Sequence, residues 1–147
     1  MNQKKVKAKY QAWLSTETMH NDSLKWLSEL RFAKDEQLFF DDLVKSYTLQ
    51  LIDSKHYTES KKTISQLSAL HKETNALIDK IIEHDNGLKI MVDGVNQIEE
   101  ENAYKNEHAK LIIIASKFSE KYRTLKTQLF SLIKSVLKEG KQKRLLQ

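Results

Sequence analysis

The sequence predicts an all-α fold: an antiparallel up-down bundle of three long helices plus a short N-terminal helix, a three- to four-helix bundle with a left-handed twist. The 147 residues include no Pro and only three Gly, whereas β-rich folds need many turns built from these two residue types. Apolar residues also recur at steps of three and four over long stretches, which is typical of packed helices. The chain length fits a single domain covering residues 1–147.

The first long helix is predicted over residues 21–52. Its apolar seam has a 3.5-residue period and contains one polar member, Gln37. We expect Asp22 or Ser23 to supply the capping oxygen at its N-terminus. The seam consists of Trp26, Leu30, Ala33, Gln37, Phe40, Val44, Tyr47 and Leu51.

The second long helix is predicted over residues 58–85, after a polar turn at 53–56. The sequence Asp85-Asn86-Gly87 is expected to end this helix, because Asn and Gly suit the left-handed position that follows a helix C-terminus. Residues 88–97 are then expected to form an irregular connection that leads to the third helix.

The third long helix, predicted over residues 98–138, has the most regular pattern. Its apolar positions from Tyr104 to Val136 keep alternating steps of four and three without interruption. Gly140 lies just beyond the predicted end, where Gly is common, and residues 140–147 form a basic tail.

Charge is distributed unevenly along the chain: the net charge is +4 over residues 1–14, −3 over 15–56, −4 over 57–103 and +8 over 104–147. Residues 1–14 also carry a helical apolar stripe, so we expect a short helix or an arm there. We favour internal complementarity, in which the basic third helix lies beside the two acidic ones. The alternative is a basic surface for nucleic acid, which the small number of Arg side chains does not favour. The candidates for that surface are Lys117, Lys121, Arg123, Lys126 and Lys134.

Five histidines are the only soft metal ligands in a chain without Cys. In an antiparallel bundle, His20, His84 and His108 lie at similar levels near one end. We interpret His84 as a partner of a helix dipole and His108 as a core or edge histidine. We therefore predict no metal site and no cofactor, and name these three histidines as the candidates if a metal does bind.

In helix number, helix length and a histidine at the start of the first long helix, this plan resembles the hemerythrin-like bundles. That resemblance implies a metal held by side chains between helices. The family's paired spacings H-x-x-x-E, H-x-x-x-H and H-x-x-x-x-D, however, are not completed after His71, His84 or His108. The ferritin-type spacing E-x-x-H occurs once, from Glu17 to His20, whereas a di-metal site needs two copies.

Three large apolar side chains lie outside the predicted seams: Leu38 and Phe39 in the first helix, and Phe130 in the third. If they are exposed, they mark a surface for a second copy or another helical partner. The alternative is that they pack against the N-terminal helix.

No catalytic motif, phosphate-binding loop, secretory signal or apolar run of membrane-spanning length is present in the sequence. We therefore predict a cytoplasmic, non-enzymatic interaction or structural module that self-associates and has no contact with membranes. The alternatives are a metal- or ligand-binding bundle and a nucleic-acid-associated protein.

Overall fold

The computed structural model describes residues 15–92 and 98–146. The described residues form four helices that pack against one another and contain no strand, which confirms the predicted all-α class. The helices are α1 (Thr16–Ser46), α2 (Thr48–Ile52), α3 (Tyr57–Val92) and α4 (Ile98–Leu145). The predicted N-terminal helix or arm at residues 1–14 lies outside the described residues. Across the described ranges, no helix is both long enough and apolar enough to cross a membrane.

The chain divides into two compact units, and each long helix contributes residues to both. Among the described residues, the first unit comprises 15–32, 75–92 and 98–118, and the second comprises 33–74 and 119–146. The core of the first unit includes Met19, Leu27, Leu30, Leu77, Ile78, Ile81, Leu88, Ala109, Leu111 and Phe118. The core of the second unit includes Ala33, Phe40, Leu51, Leu67, Leu70, Tyr122, Leu125, Leu129, Leu132, Ile133 and Val136.

Helix α1 begins five residues before the predicted start at residue 21, because Ser15 caps it. The Ser15 Oγ accepts a hydrogen bond from the Thr18 backbone N–H at 3.1 Å, which is the usual contact of an N-cap residue. The predicted caps, Asp22 and Ser23, instead lie inside the helix. The Ser23 hydroxyl donates to a carbonyl one turn earlier in α1, and Asp22 makes a contact with α4 described below.

The first predicted helix also differs at its end. A turn at Tyr47 separates α1 from the five-residue helix α2, so residues 21–52 are not one continuous helix. The Thr48 hydroxyl donates to the carbonyl oxygens of Val44 and Lys45 at this break. Contacts of this kind weaken the helical ladder and often bend helices, and here they accompany the interruption.

Helix α3 continues through Asp85-Asn86-Gly87 to Val92, so the predicted end at residue 85 was wrong. Gly87 has a different role from the one that the sequence suggested. The phenol ring of Tyr104 lies so close to the Gly87 backbone that a Cβ atom there would overlap the ring. Gly87 therefore allows a close approach of α4 to α3 inside the first unit.

Helix α4 likewise continues beyond its predicted end at residue 138 and includes Gly140. The predicted basic tail at 140–147 is thus helical as far as Leu145. A Cβ atom at Gly140 would have no neighbour within 4 Å, so nothing in its surroundings requires glycine.

Gln37, the one polar residue in the seam of the first helix, is fully buried in the second unit, and its amide is hydrogen-bonded there. The Gln37 Nε2 donates to the Thr74 Oγ1 at 2.9 Å, and its Oε1 lies 2.6 Å from the His71 Nδ1. The Thr74 hydroxyl in turn donates to the Leu70 carbonyl at 2.7 Å. Because an unpaired buried amide costs about 1–3 kcal/mol, this set of bonds fixes the register of α1 against α3.

The two helical glycines provide a matched test of the close approach at Gly87. A Gly→Ala change inside a helix ordinarily raises the free energy of unfolding by about 0.5–1 kcal/mol. We expect Gly140→Ala to give a gain of this sign in urea unfolding, with a smaller value near the helix end. Gly87→Ala should give no gain or a loss, because its methyl group displaces Tyr104. Equal gains at both positions would contradict the packing described here.

Candidate functional site

A hydrogen-bonded pair of histidines is buried in the first unit, between α3 and α4. His84 is 1% exposed and His108 is fully buried. The His84 Nε2 lies 3.0 Å from the His108 Nδ1, and the His108 Nε2 lies 2.9 Å from the Asp22 Oδ2 on α1. The Glu107 Oε2 is 3.5 Å from the remaining ring nitrogen of His84, Nδ1. These four side chains are called the histidine cluster below.

The hydrogen-bond partners determine where the protons of the neutral cluster lie. A carboxylate only accepts, so the His108 Nε2 carries the proton that is donated to Asp22. The His108 Nδ1 is then an acceptor, and the His84 Nε2–H donates to it. The His84 Nδ1 is left without a proton, and it is a buried nitrogen without a hydrogen-bond partner in the structure. One further proton therefore has a defined place to bind, on Nδ1 and facing Glu107.

Aromatic rings cover both sides of the imidazole pair. The Trp26 ring stacks on His108 with a centroid distance of 4.8 Å, and the two imidazoles stack at 5.2 Å. Tyr104 contacts His84 at 5.7 Å on the other side. This environment keeps water away from the pair and disfavours a positive charge through desolvation.

Burial lowers the pKa of both imidazoles below the ordinary value for histidine. For His84, desolvation outweighs the attraction of Glu107, which acts in the opposite direction. For His108, desolvation outweighs the hydrogen bond to Asp22, and a charge on His84 would lower the pKa further. The cluster is therefore neutral at its two histidines near pH 7.

The structure brings together two of the three candidate metal ligands. His20 is instead paired with Asp85, the residue after His84 on α3, and its Nδ1 lies 2.6 Å from the Asp85 Oδ1. The facing nitrogens of His84 and His108 are hydrogen-bonded to each other and are therefore not free to bind a metal ion. In the part of the chain that the structure describes, no three His, Asp or Glu side chains are placed to hold a metal ion.

The candidate partner-binding residues Phe39 and Phe130 are exposed in the second unit. Phe39 is 58% exposed and Phe130 is 49% exposed, and both rings contact the buried ring of Phe40. Leu137, one heptad after Phe130, is 43% exposed on the same side of α4. Sequence reasoning missed Leu137, although its spacing of seven from Phe130 was the available signal. Leu38 is also exposed, but it points about 100° away from Phe39 around α1.

Charged side chains border this apolar surface with opposite signs on its two helices. Asp35 and Asp42 lie one turn before and after Phe39, and both are exposed. Around Phe130, the exposed charges at helical spacing are all basic. They are Arg123, Lys134 and Lys141. We call Phe39, Phe130 and Leu137, together with these five charged residues, the aromatic face.

Two of the five basic candidates form ion pairs with acidic side chains of the same chain. The Lys126 Nζ lies 3.1 Å from the Glu36 Oε1, and the Lys121 Nζ lies 2.9 Å from the Glu73 Oε2. Glu36 also accepts from the Tyr122 hydroxyl at 2.9 Å, and burial together with this carboxylate raises the pKa of Tyr122.

These contacts connect the basic helix to acidic residues of α1 and α3, which is the arrangement expected for internal charge complementarity. The remaining candidates, Lys117, Arg123 and Lys134, are exposed.

Comparisons with known proteins add no further information: the chain matches no protein-family model, no curated protein and no solved structure. The histidine cluster and the aromatic face therefore have to be interpreted from their own chemistry.

Protonation of the histidine cluster should make stability depend on pH with a definite sign. Unfolded histidines bind protons near pH 6.5, whereas His84 and His108 in the folded chain bind them only at lower pH. The free energy of unfolding should thus keep its full value above pH 6.5 and decrease as the pH falls below 6.5. The slope should reach up to about 1.4 kcal/mol per pH unit for each histidine.

Urea unfolding measured between about pH 7.5 and pH 5.5 tests this prediction. His84→Gln should reduce the slope more than the control His56→Gln, which replaces a histidine outside the cluster at a partly exposed turn position. An identical slope in the His84→Gln variant and the unmodified protein would show that the burial of His84 does not contribute to the pH dependence of stability.

Proposed function

We propose that this protein is a non-enzymatic helical interaction module that self-associates through the aromatic face. The observation that carries the proposal is the pair of exposed phenylalanines, Phe39 and Phe130, on either side of Phe40. Large aromatic side chains rarely remain exposed together on a monomer's surface unless they contact a partner. A cytoplasmic location is part of this proposal.

The contacts within the second unit support an up-down arrangement of the helices. Glu36 contacts Lys126 and Phe40 contacts Phe130, so residue numbers increase together along α1 and α4. Gln37 contacts Thr74 and His71 on α3, a pairing close to the one expected for antiparallel neighbours joined by the turn at 53–56. The aromatic face then lies along two helices that point in the same direction.

The histidine cluster favours a structural role over catalysis. Its imidazoles are almost completely buried, and their facing nitrogens are bonded to each other. A general base has to reach the proton that it abstracts from a substrate. The buried nitrogen His84 Nδ1 is covered by neighbouring side chains and offers no such access.

Nucleic-acid binding is less well supported than self-association. Lys121 and Lys126 are already paired with acidic side chains of the same unit. The exposed basic residues around Phe130 lie beside the acidic border formed by Asp35 and Asp42. A phosphate backbone would be repelled by that border.

Sedimentation over a range of concentrations tests the proposed function. We expect the unmodified protein to shift from monomer towards dimer, and Phe39→Ser to weaken association by about tenfold or more, as for an aromatic anchor at an interface. Leu49→Ser is the matched control, because Leu49 is 80% exposed in the same unit but belongs to α2. A protein that stays monomeric up to about 1 mM has too little affinity for this function.

A further inference from the structure

We infer that two copies of this chain pair around a two-fold axis that runs parallel to α1 and α4, so that α1 of each copy packs against α4 of the other. This inference rests on the proposed self-association and adds the orientation of the partner. It follows from the charges of the aromatic face and from the direction of its two helices.

The aromatic face is divided lengthwise into an acidic half and a basic half. On α1, the exposed charged residues within one turn of Phe39 are Asp35 and Asp42. Along the matching side of α4 are Arg123, Lys134 and Lys141. None of these five side chains forms an ion pair with another residue that the structure describes. Their charges are thus available to a partner.

A symmetric dimer that uses this face has two simple orientations. If the two-fold axis is perpendicular to the helices, α1 lies against α1 and α4 lies against α4. Asp35 and Asp42 then face carboxylates, and Lys134 faces ammonium and guanidinium groups. Like charges placed opposite each other at an interface cost several kcal/mol. If the axis is parallel to the helices, each acidic half faces a basic half.

Rotation about an axis parallel to the helices leaves each residue at the same height along the helix axis. Residues of the two copies that lie at equal height therefore face each other, and this identifies the charge pairs. Phe40 contacts Phe130 within one copy, so position i on α1 lies level with about i + 90 on α4. Asp42 is then within two residues, about 3 Å of helix rise, of Lys134 of the partner subunit. Asp35 is equally close to Arg123 of the partner subunit. Phe39 faces Phe130 of the partner subunit at the centre.

A surface for another protein partner would not need this match between its own two halves. Isologous interfaces do need it, because the same patch has to complement itself after a 180° rotation. The aromatic face meets that condition in one of its two orientations only. The charges therefore favour a second copy as the occupant, and they select its orientation.

Cross-linking between introduced thiols tests the orientation directly, since the chain has no Cys of its own. Asp42→Cys and Lys134→Cys proteins are prepared separately, mixed and treated with a short thiol cross-linker. We expect a covalent dimer from the mixture and little from either variant alone. Lys72→Cys, at an exposed position on α3, replaces Asp42→Cys in the control mixture and should give none.

Charge reversal gives an independent measurement by sedimentation. Asp42→Lys and Lys134→Asp should each weaken the dimer by about tenfold, because each creates two like-charge contacts. The double variant Asp42→Lys/Lys134→Asp restores both pairs and should return to within about threefold of the unmodified protein. Far-UV circular dichroism checks that each variant is folded.

The possible failures are distinguishable. Dimers that cross-link 42 to 42 and 134 to 134 would overturn the parallel axis and leave the proposed function standing. Dimers that are unaffected by the charge reversals and by Phe39→Ser would show that another surface is used, and would overturn both. A protein that never dimerises would also overturn both.

Discussion

The structure depends on the burial of one apolar stripe on each long helix. A polar residue that falls on one of these stripes, at the spacing of three and four, is buried together with its apolar neighbours. Gln37, His84 and His108 occupy such positions and are almost fully buried. Each needs a hydrogen-bond partner on another helix, because a buried polar group without a partner is costly. These interhelical bonds, more than the apolar contacts, specify which residues lie side by side.

Gln37 and the histidine cluster meet this need for hydrogen-bond partners to different degrees. In the second unit, Gln37 uses both its donor and its acceptor, with His71 and Thr74 as partners. In the first unit, the histidine cluster satisfies three of its four ring nitrogens and leaves the His84 Nδ1 unpaired. The complete set of bonds around Gln37 favours one register of the helices without leaving a buried polar atom unpaired. The incomplete histidine cluster keeps one nitrogen that can still bind a proton.

The sequence was sufficient for the fold class and for the buried side of each helix. On the third predicted helix, eight of the ten seam positions are buried, because a regular apolar period leaves no other face for the core. The helix ends were predicted less well. Gly87 and Gly140 were interpreted as helix terminators, but α3 and α4 continue through them, since a single glycine weakens a helix by only about 1 kcal/mol relative to alanine.

The candidate site was predicted in part. Position along the axis of an antiparallel bundle correctly placed His84 near His108. It does not say, however, towards which neighbouring helix a side chain points. The bond between His20 and Asp85, and the contact of Asp22 with His108, depend on that direction and were not found. The displacement of Phe39 and Phe130 from the seams followed from spacing, but spacing left open whether they are exposed or pack against the N-terminal helix.

The absence of a side chain at Gly87 has a consequence for the hydration of the imidazoles. Tyr104 lies over the bare helix backbone at this position, and the same ring covers His84 one turn earlier on α3. Because position 87 carries no Cβ atom, the phenol ring of Tyr104 can lie close to α3 beside His84. The Tyr104 ring, which the bare backbone of Gly87 allows to approach α3, therefore contributes to the desolvation that lowers the pKa of His84.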